Sequence, residues 1–190
     1  MRIANPGAGG WTARLALLLT LAGCASGTGG GQDPSMVSIV TPDGAPWEIR
    51  RSQDLQLNRA VAASPDETWA ALSEVFAAIG LQPDIRDSGR RRLGVSGHRF
   101  SGRILNRTAS DFFDCGSDPG LNRPLADQVP ITAQVMTDVL AVGATAELHT
   151  VVQGTARRTG GNAGVAACRS TGLLETVIGE MVQKVAVTGG

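Results

Sequence analysis

Tyrosine is absent from the 190-residue chain, aromatic residues make up only 4% of it, and histidine occurs twice. Lysine occurs once, as Lys184, so every other basic side chain is arginine. With so much alanine and glycine, that bias matches a GC-rich genome, and arginine choice by itself carries no functional meaning. The formal charge is zero, so no net field draws the chain to nucleic acid. No apolar run reaches the roughly 20 residues that a membrane-spanning helix requires. Phosphate-loop, zinc and nucleophile-elbow motifs are missing. Neither a catalytic centre nor a cofactor is expected.

What is present begins with "LALLLTLAGCAS", Leu15 to Ser26. Arg2 and Arg14 give a positive start, and the short apolar block after them has the length and flanks of a secretory signal segment. Leu21-Ala22-Gly23-Cys24 resembles the lipobox of bacterial lipoproteins, in which small residues lie extended in a peptidase cleft and a thiol accepts a diacylglyceryl group. The resemblance implies thioether lipidation of Cys24, removal of residues 1–23 as a signal peptide, and acylation (with palmitate, for example) of the new amino terminus. An ordinary signal peptide with an incidental cysteine is the alternative. Two or three acyl chains anchor a protein firmly, since each buried methylene contributes about 0.8 kcal/mol. Ala25 and Ser26 follow the cysteine, where lipoproteins kept in the inner membrane of two-membrane bacteria tend to carry Asp. The expected location is therefore the outer membrane, with the folded part facing the periplasm. Losing Arg2 and Arg14 takes the formal charge from 0 to −2.

With Cys24 lipidated, Cys115 and Cys168 remain in an oxidising compartment and are expected to form a disulfide. A metal site competes with that reading, but two lone cysteines without CxxC spacing and only two histidines argue against it.

Residues 24–53 read as a lipidated tether and an irregular N-terminal segment, and 54–190 as one domain. "ASGTGGGQDPS", Ala25 to Ser35, is a tether by composition. "MVSIV" has the pattern of a short strand, and "TPDGAPW" that of turns. "DLQLNRAVAA" alternates Leu55, Leu57, Arg59 and Val61 as a half-buried strand. "SPDETWAALSEVFAAIG" predicts a helix with Ser64 as N-cap, Pro65 in its first turn, Glu67 completing a capping box and Gly80 ending it. Its expected buried stripe is Trp69, Leu72, Phe76 and Ile79. Two short strands flank Asp87-Ser88-Gly89, strand continuing past Ser96 is possible in pattern, and 114–130 reads as a long loop. "ITAQVMTDVLAVGATAELHTVVQGTARR" is a hairpin around a type II′ turn at Gly143-Ala144. That turn sets Val139 opposite Leu148, Thr137 opposite Thr150, Asp138 opposite His149, and Met136 opposite Val151. After a Gly-rich loop, Cys168 leads into a last helix capped by Ser170 or Thr171, with Leu174, Val177, Ile178, Met181 and Val185 buried.

The order β-α-β-β-β-β-α predicts an α+β fold, an antiparallel sheet with helices packed on one face. With "SPDETWAALSEVFAAIGLQPDIRD" near its start, this order resembles the helix-grip domains of BamC-type outer-membrane lipoproteins. Those proteins carry two such domains and a long partner-binding segment, whereas this chain has one domain and a short tether. "SDFFDCG" and "CRSTGLLE" are also similar to segments of uncharacterised bacterial envelope lipoproteins, a resemblance that implies no activity.

Asp138 beside His149 is the best catalytic constellation, yet no serine or cysteine is placed for activation, and a solvated charge pair is preferred. Asp111 and Asp114 flank Phe112 and Phe113 and are expected to bracket a short strand; His98 stands alone. Arg86, Arg90, Arg91, Arg92, Arg99, Arg103 and Arg107 crowd one stretch that holds only Asp87 in opposition. Of these, Arg90, Arg91, Arg92, Arg99 and Arg103 are the candidate binding patch for an anionic glycan or lipid headgroup or an acidic envelope protein. The leading expectation is a lipid-anchored, non-catalytic binding module. The alternative is a carrier or sensor of a small apolar ligand between the sheet and the C-terminal helix.

Overall fold

The computed structural model describes residues 36–42, 44, 46–50, 58–118, 120, 122–158 and 164–189. Cys24, the signal segment, the tether, and Leu55 and Leu57 of the expected first strand lie outside them. The strands are β1 (Met36–Val40), β2 (Pro46–Arg50), β3 (Asn58–Val61), β4 (Ile85–Asp87), β5 (Arg92–Phe100), β6 (Arg103–Ile104), β7 (Arg107–Thr108), β8 (Phe113–Asp114), β9 (Ser117–Asp118), β10 (Arg123–Pro124), β11 (Ile131–Val142), β12 (Thr145–Arg158) and β13 (Gly164–Ser170). The helices are α1 (Pro65–Ala78) and α2 (Leu173–Thr188). Among the described residues no helix is long and apolar enough to cross a membrane.

The fold is α+β. Seven strands form an antiparallel sheet in the order β4-β5-β11-β12-β13-β8, and one edge of the long β12 also takes β3. On that edge β3 pairs along Ala146–His149 and β13 along Gln153–Arg158. Helix α1 packs over β11 and β12, and α2 over β12 and β3, side by side on one face of the sheet.

The β11–β12 hairpin has the register that its turn dictates, with Asp138 opposite His149 and Thr137 opposite Thr150. Gly143 is left-handed (φ +62) and Ala144 is not, which is the type II′ arrangement. Ile131, Ala133, Val135, Thr137 and Val139 all point under the helices and are buried. There the hydroxyls of Thr137 and Thr150 satisfy each other at 3.1 Å.

Helix α1 starts and stops where its caps require. The Ser64 N–H donates to Glu67 Oε2 at 2.9 Å, and the Glu67 N–H donates to Ser64 Oγ at 3.3 Å. At the other end Gly80 is left-handed (φ +78) and the Leu81 N–H donates to the Phe76 carbonyl at 2.8 Å, a Schellman ending. Leu72, Phe76 and Ile79 are buried together with Thr68, Ala71 and Val75. Trp69 sits at the margin of that stripe, half-buried, with the Arg86 guanidinium 5.5 Å over its ring.

Four local expectations change. Residues 164–170 form β13 before α2 begins, with Cys168 turned inward and Val165, Ala167 and Arg169 outward. Helix α2 has Gly172 (φ +84) at its N-cap, not Ser170 or Thr171. Those two side chains brace the entry instead: Ser170 Oγ accepts from the Gly172 N–H at 3.0 Å and donates to Glu175 Oε2 at 2.7 Å, while Thr171 Oγ1 donates to the Asp111 carbonyl at 2.6 Å. Within the segment expected to be irregular, β1 and β2 pair as a hairpin, Ile39 is buried, and the Val40 N–H donates to the Leu105 carbonyl at 3.2 Å. The expected loop at 114–130 contains the β9–β10 pair and a 3-10 turn at Leu125–Asp127 that buries Leu125 and Ala126. A disulfide joins Cys115 to Cys168, Cα atoms 4.1 Å apart, and ties this segment to β13.

Candidate functional site

Between Val95 and His98 the pairing of β5 with β11 slips: Val95 faces Val135, and His98 faces Ala133. Ser96 and Gly97 therefore stand opposite Gln134 alone. A bulge of this kind reverses which side chains point inward. Leu93 and Val95 before it, and His98 and Phe100 after it, share the helix-covered side, while Arg99 turns outward and is exposed. Strand β4 pairs with β5 only along Arg92–Gly94, and Asp84 then accepts from the backbone N–H (2.8 Å) and the hydroxyl of Ser96.

Past that point a cleft of about 670 Å³ opens against the end of β5. Its other walls are the end of β1 with the turn after it, the C-terminus of α1, and the β6–β7 turn. Ile79, Phe100 and Ile104 give it a buried apolar part. Arg99 and Arg103 also line it, and both are exposed. Leu105 and Asn106, at φ +47 and +63, form the two-residue turn between β6 and β7. Arg103 Nε and Nη2 donate to the Asn106 carbonyl at 3.2 and 2.5 Å, which fixes the guanidinium against that turn. Among the described residues lining the cleft none is acidic. Asp43, which falls between Pro42 and Gly44 in the sequence, lies outside the described residues. His98 is half-buried, its ring edge-on to Phe100 with centroids 4.5 Å apart. Burial pushes its pKa below the ordinary histidine value. The imidazole is thus neutral near neutral pH, and the described charge of the cleft is that of two arginines.

The remaining predicted arginines already have partners. Arg92 makes a two-armed ion pair with Asp138, at 2.6 and 2.8 Å, across β5 and β11. Arg91 reaches Asp66 at 2.8 Å, and Arg90 lies 3.8 Å from Asp87. Arg86 donates to Ser73 Oγ at 3.1 Å, and Arg107 pairs with Asp111 at 3.0 Å. The five-residue patch is therefore divided: Arg99 and Arg103 share one cleft, and Arg90, Arg91 and Arg92 are each set against a carboxylate.

Asp138 and His149 are cross-strand neighbours. The carboxylate is nevertheless committed to Arg92, whose hydrogen bonds hold its pKa below the usual carboxylate range. The groove around the pair is lined by Arg92, Gln134, Met136, Val151 and Gln153, with no nucleophile among them. Asp111 accepts from Arg107 and Thr108, and Asp114 accepts from the Gly116 N–H at 2.9 Å, so each acid closes its own turn. Among the described residues no group of three or more metal-ligating side chains gathers.

Between α2 and the sheet, Leu174, Val177, Ile178, Met181 and Val182 are at most 1% exposed. That layer is filled by its own side chains. The sequence identified Arg99 and Arg103 but not the cleft, whose far wall comes from the segment around Val40–Pro42. The available signal was Leu105-Asn106 between Arg103-Ile104 and Arg107-Thr108, since asparagine tolerates the left-handed turn. The chain matches no protein-family model and no curated protein.

Proposed function

We propose that this chain is a lipid-anchored protein of the bacterial cell envelope. In this reading it is held at the outer membrane through Cys24, and its periplasm-facing α+β domain binds another envelope component without catalysis. The anchor rests on the Leu21-Ala22-Gly23-Cys24 segment. The single observation that supports the binding role is the cleft where Arg99 and Arg103 stand over buried apolar side chains with no described acid opposing them. A guanidinium presents a planar fork of donors suited to a carboxylate or phosphate, so the component is anionic. The filled layer beneath α2 favours this reading over a carrier holding a small apolar ligand there.

Photo-crosslinking in cells tests it, with the full-length chain carrying a photoreactive side chain in place of Ser101 at the cleft. The expected result is an adduct with an envelope component that disappears when Arg99→Ala and Arg103→Ala are added. No adduct, or one indifferent to both substitutions, contradicts the proposal.

A further inference from the structure

Resting on that reading, the geometry points to the chemical class of the ligand: an anionic membrane lipid with a terminal phosphate, whose headgroup meets Arg99 and Arg103 while the start of its hydrocarbon enters the cleft. The cleft has two characters side by side. Arg99 and Arg103 supply fixed positive charge, and Ile79, Phe100 and Ile104 supply buried apolar wall. A small hydrophilic anion would use only the first, and a neutral hydrocarbon only the second. An amphiphilic anion uses both. His98, kept uncharged by burial, adds a hydrogen-bonding group without adding charge. At about 670 Å³ the space falls within the roughly 300–1,000 Å³ of small-molecule sites.

The position of the cleft in the chain favours a lipid over other phosphates. Eleven residues separate Cys24 from Met36, where β1 begins, and the end of β1 is one wall of the cleft. A Gly- and Ser-rich segment of that length spans about 17–20 Å root-mean-square. Strand β1 adds at most about 13 Å at roughly 3.3 Å per residue. On the lipid-anchor reading, the attachment point and the strand that walls the cleft are thus separated by only a short stretch of chain. Short tethers of this kind raise the local concentration of a ligand to the order of millimolar. Arg103, pinned on the Asn106 carbonyl, keeps its remaining N–H groups for a phosphate oxygen.

The mature, lipidated chain in phosphatidylcholine nanodiscs tests this, with amide hydrogen exchange of residues 98–106 as the readout. Four conditions are compared: phosphatidylcholine alone, added phosphatidic acid, added diacylglycerol, and inorganic phosphate in the buffer. Phosphatidic acid is expected to slow exchange about tenfold relative to the other three, equivalent to a tenfold shift in a binding equilibrium. Arg99→Ala with Arg103→Ala abolishes that protection, and Arg91→Ala with Arg92→Ala keeps it. Equal protection by inorganic phosphate makes this a free-phosphate site, and equal protection by diacylglycerol makes it an apolar one; either overturns the lipid assignment, as does no protection at all. If the lipid arm fails while the Ser101 adduct still forms and still depends on both arginines, only the ligand class is wrong. If the adduct is absent as well, the binding role falls with it.

Discussion

The side chain of Arg59 lies across Gly179. A Cβ added at Gly179 would sit 2.4 Å from Arg59 Cδ, and Arg59 Nη2 goes on to pair with Glu180 Oε1 at 2.8 Å. A glycine inside a helix costs about 1 kcal/mol relative to alanine. Here the missing side chain is what lets β3 and α2 close on each other. Gly179→Ala sets that helix gain against an overpacking cost of about 1–3 kcal/mol, and a net loss of about 1 kcal/mol is expected. In an Arg59→Ala background the same substitution should stabilise. Urea unfolding of the four proteins checks the reversal of sign.

The Cys115–Cys168 bridge spans a sequence separation of 53 and joins a segment of short turns to strand β13. The chain-entropy relation assigns about 4 kcal/mol to a closed loop of this size. Replacing both cysteines with alanine should lower unfolding stability by a few kcal/mol, a large share of the roughly 5–15 kcal/mol typical of a domain. Denaturant midpoints of the double variant, with peptide mapping of the oxidised parent, provide the measurement.

Two carboxyl groups should act on acid stability with opposite signs. Asp138 is held below the ordinary range by Arg92. Its contribution is full above the unfolded value of about 3.9 and is lost as the pH falls through the folded one. Glu175 is 7% exposed, and burial raises its pKa against the opposing hydrogen bond from Ser170. It keeps its proton longer in the folded chain, so its contribution is full below the unfolded value of about 4.3 and is lost as the pH rises through the folded one. Asp138→Asn should therefore cost stability near pH 7 and less near about pH 2. Glu175→Gln should raise stability near about pH 7 and change it little near pH 3. Denaturation midpoints across this range check both signs.

Where the fold was legible, each signal was short-range and unopposed. Ser64, Glu67 and Gly80 bound α1 by their own hydrogen-bonding chemistry. Gly143 sets the turn, and the turn sets the register of the longest hairpin. Strand β13 leaves no alternating signature in the sequence, because the side chains of Gly164-Val165-Ala166-Ala167-Cys168 are mostly small. The start of α2 is not legible from Ser170 and Thr171: Gly172 takes the N-cap position, Ser170 bonds Gly172 and Glu175, and Thr171 donates to the Asp111 carbonyl while accepting from the Leu173 N–H at 3.5 Å. At the cleft, the arginines were visible and their partners were not. Asp138 and Asp66 reach Arg92 and Arg91 from distant segments, and the bulge at Ser96-Gly97 decides that Phe100 points inward while Arg99 does not.

Cys24→Ser in the full-length chain should abolish incorporation of labelled palmitate and move the protein out of the membrane fraction. Cell fractionation with metabolic labelling is the check. Membrane retention of the variant at the parent level would contradict the lipid anchor.

The most direct measurement of the central claim is equilibrium binding of residues 24–190, with Cys24→Ser so that no lipid can be attached there, to isolated envelope vesicles. Raising ionic strength from about 0.01 M to 0.15 M shortens the Debye length from roughly 30 Å to 8 Å and should weaken binding severalfold. Arg99→Ala with Arg103→Ala should weaken it about tenfold, the effect of about 1.4 kcal/mol. Arg91→Ala with Arg92→Ala, and His149→Ala, should leave it within about twofold, because the first two side chains are already committed to carboxylates and His149 does not line the cleft. Binding indifferent to both salt and the loss of Arg99 and Arg103, or lost equally with Arg91 and Arg92, would contradict the cleft as the binding site.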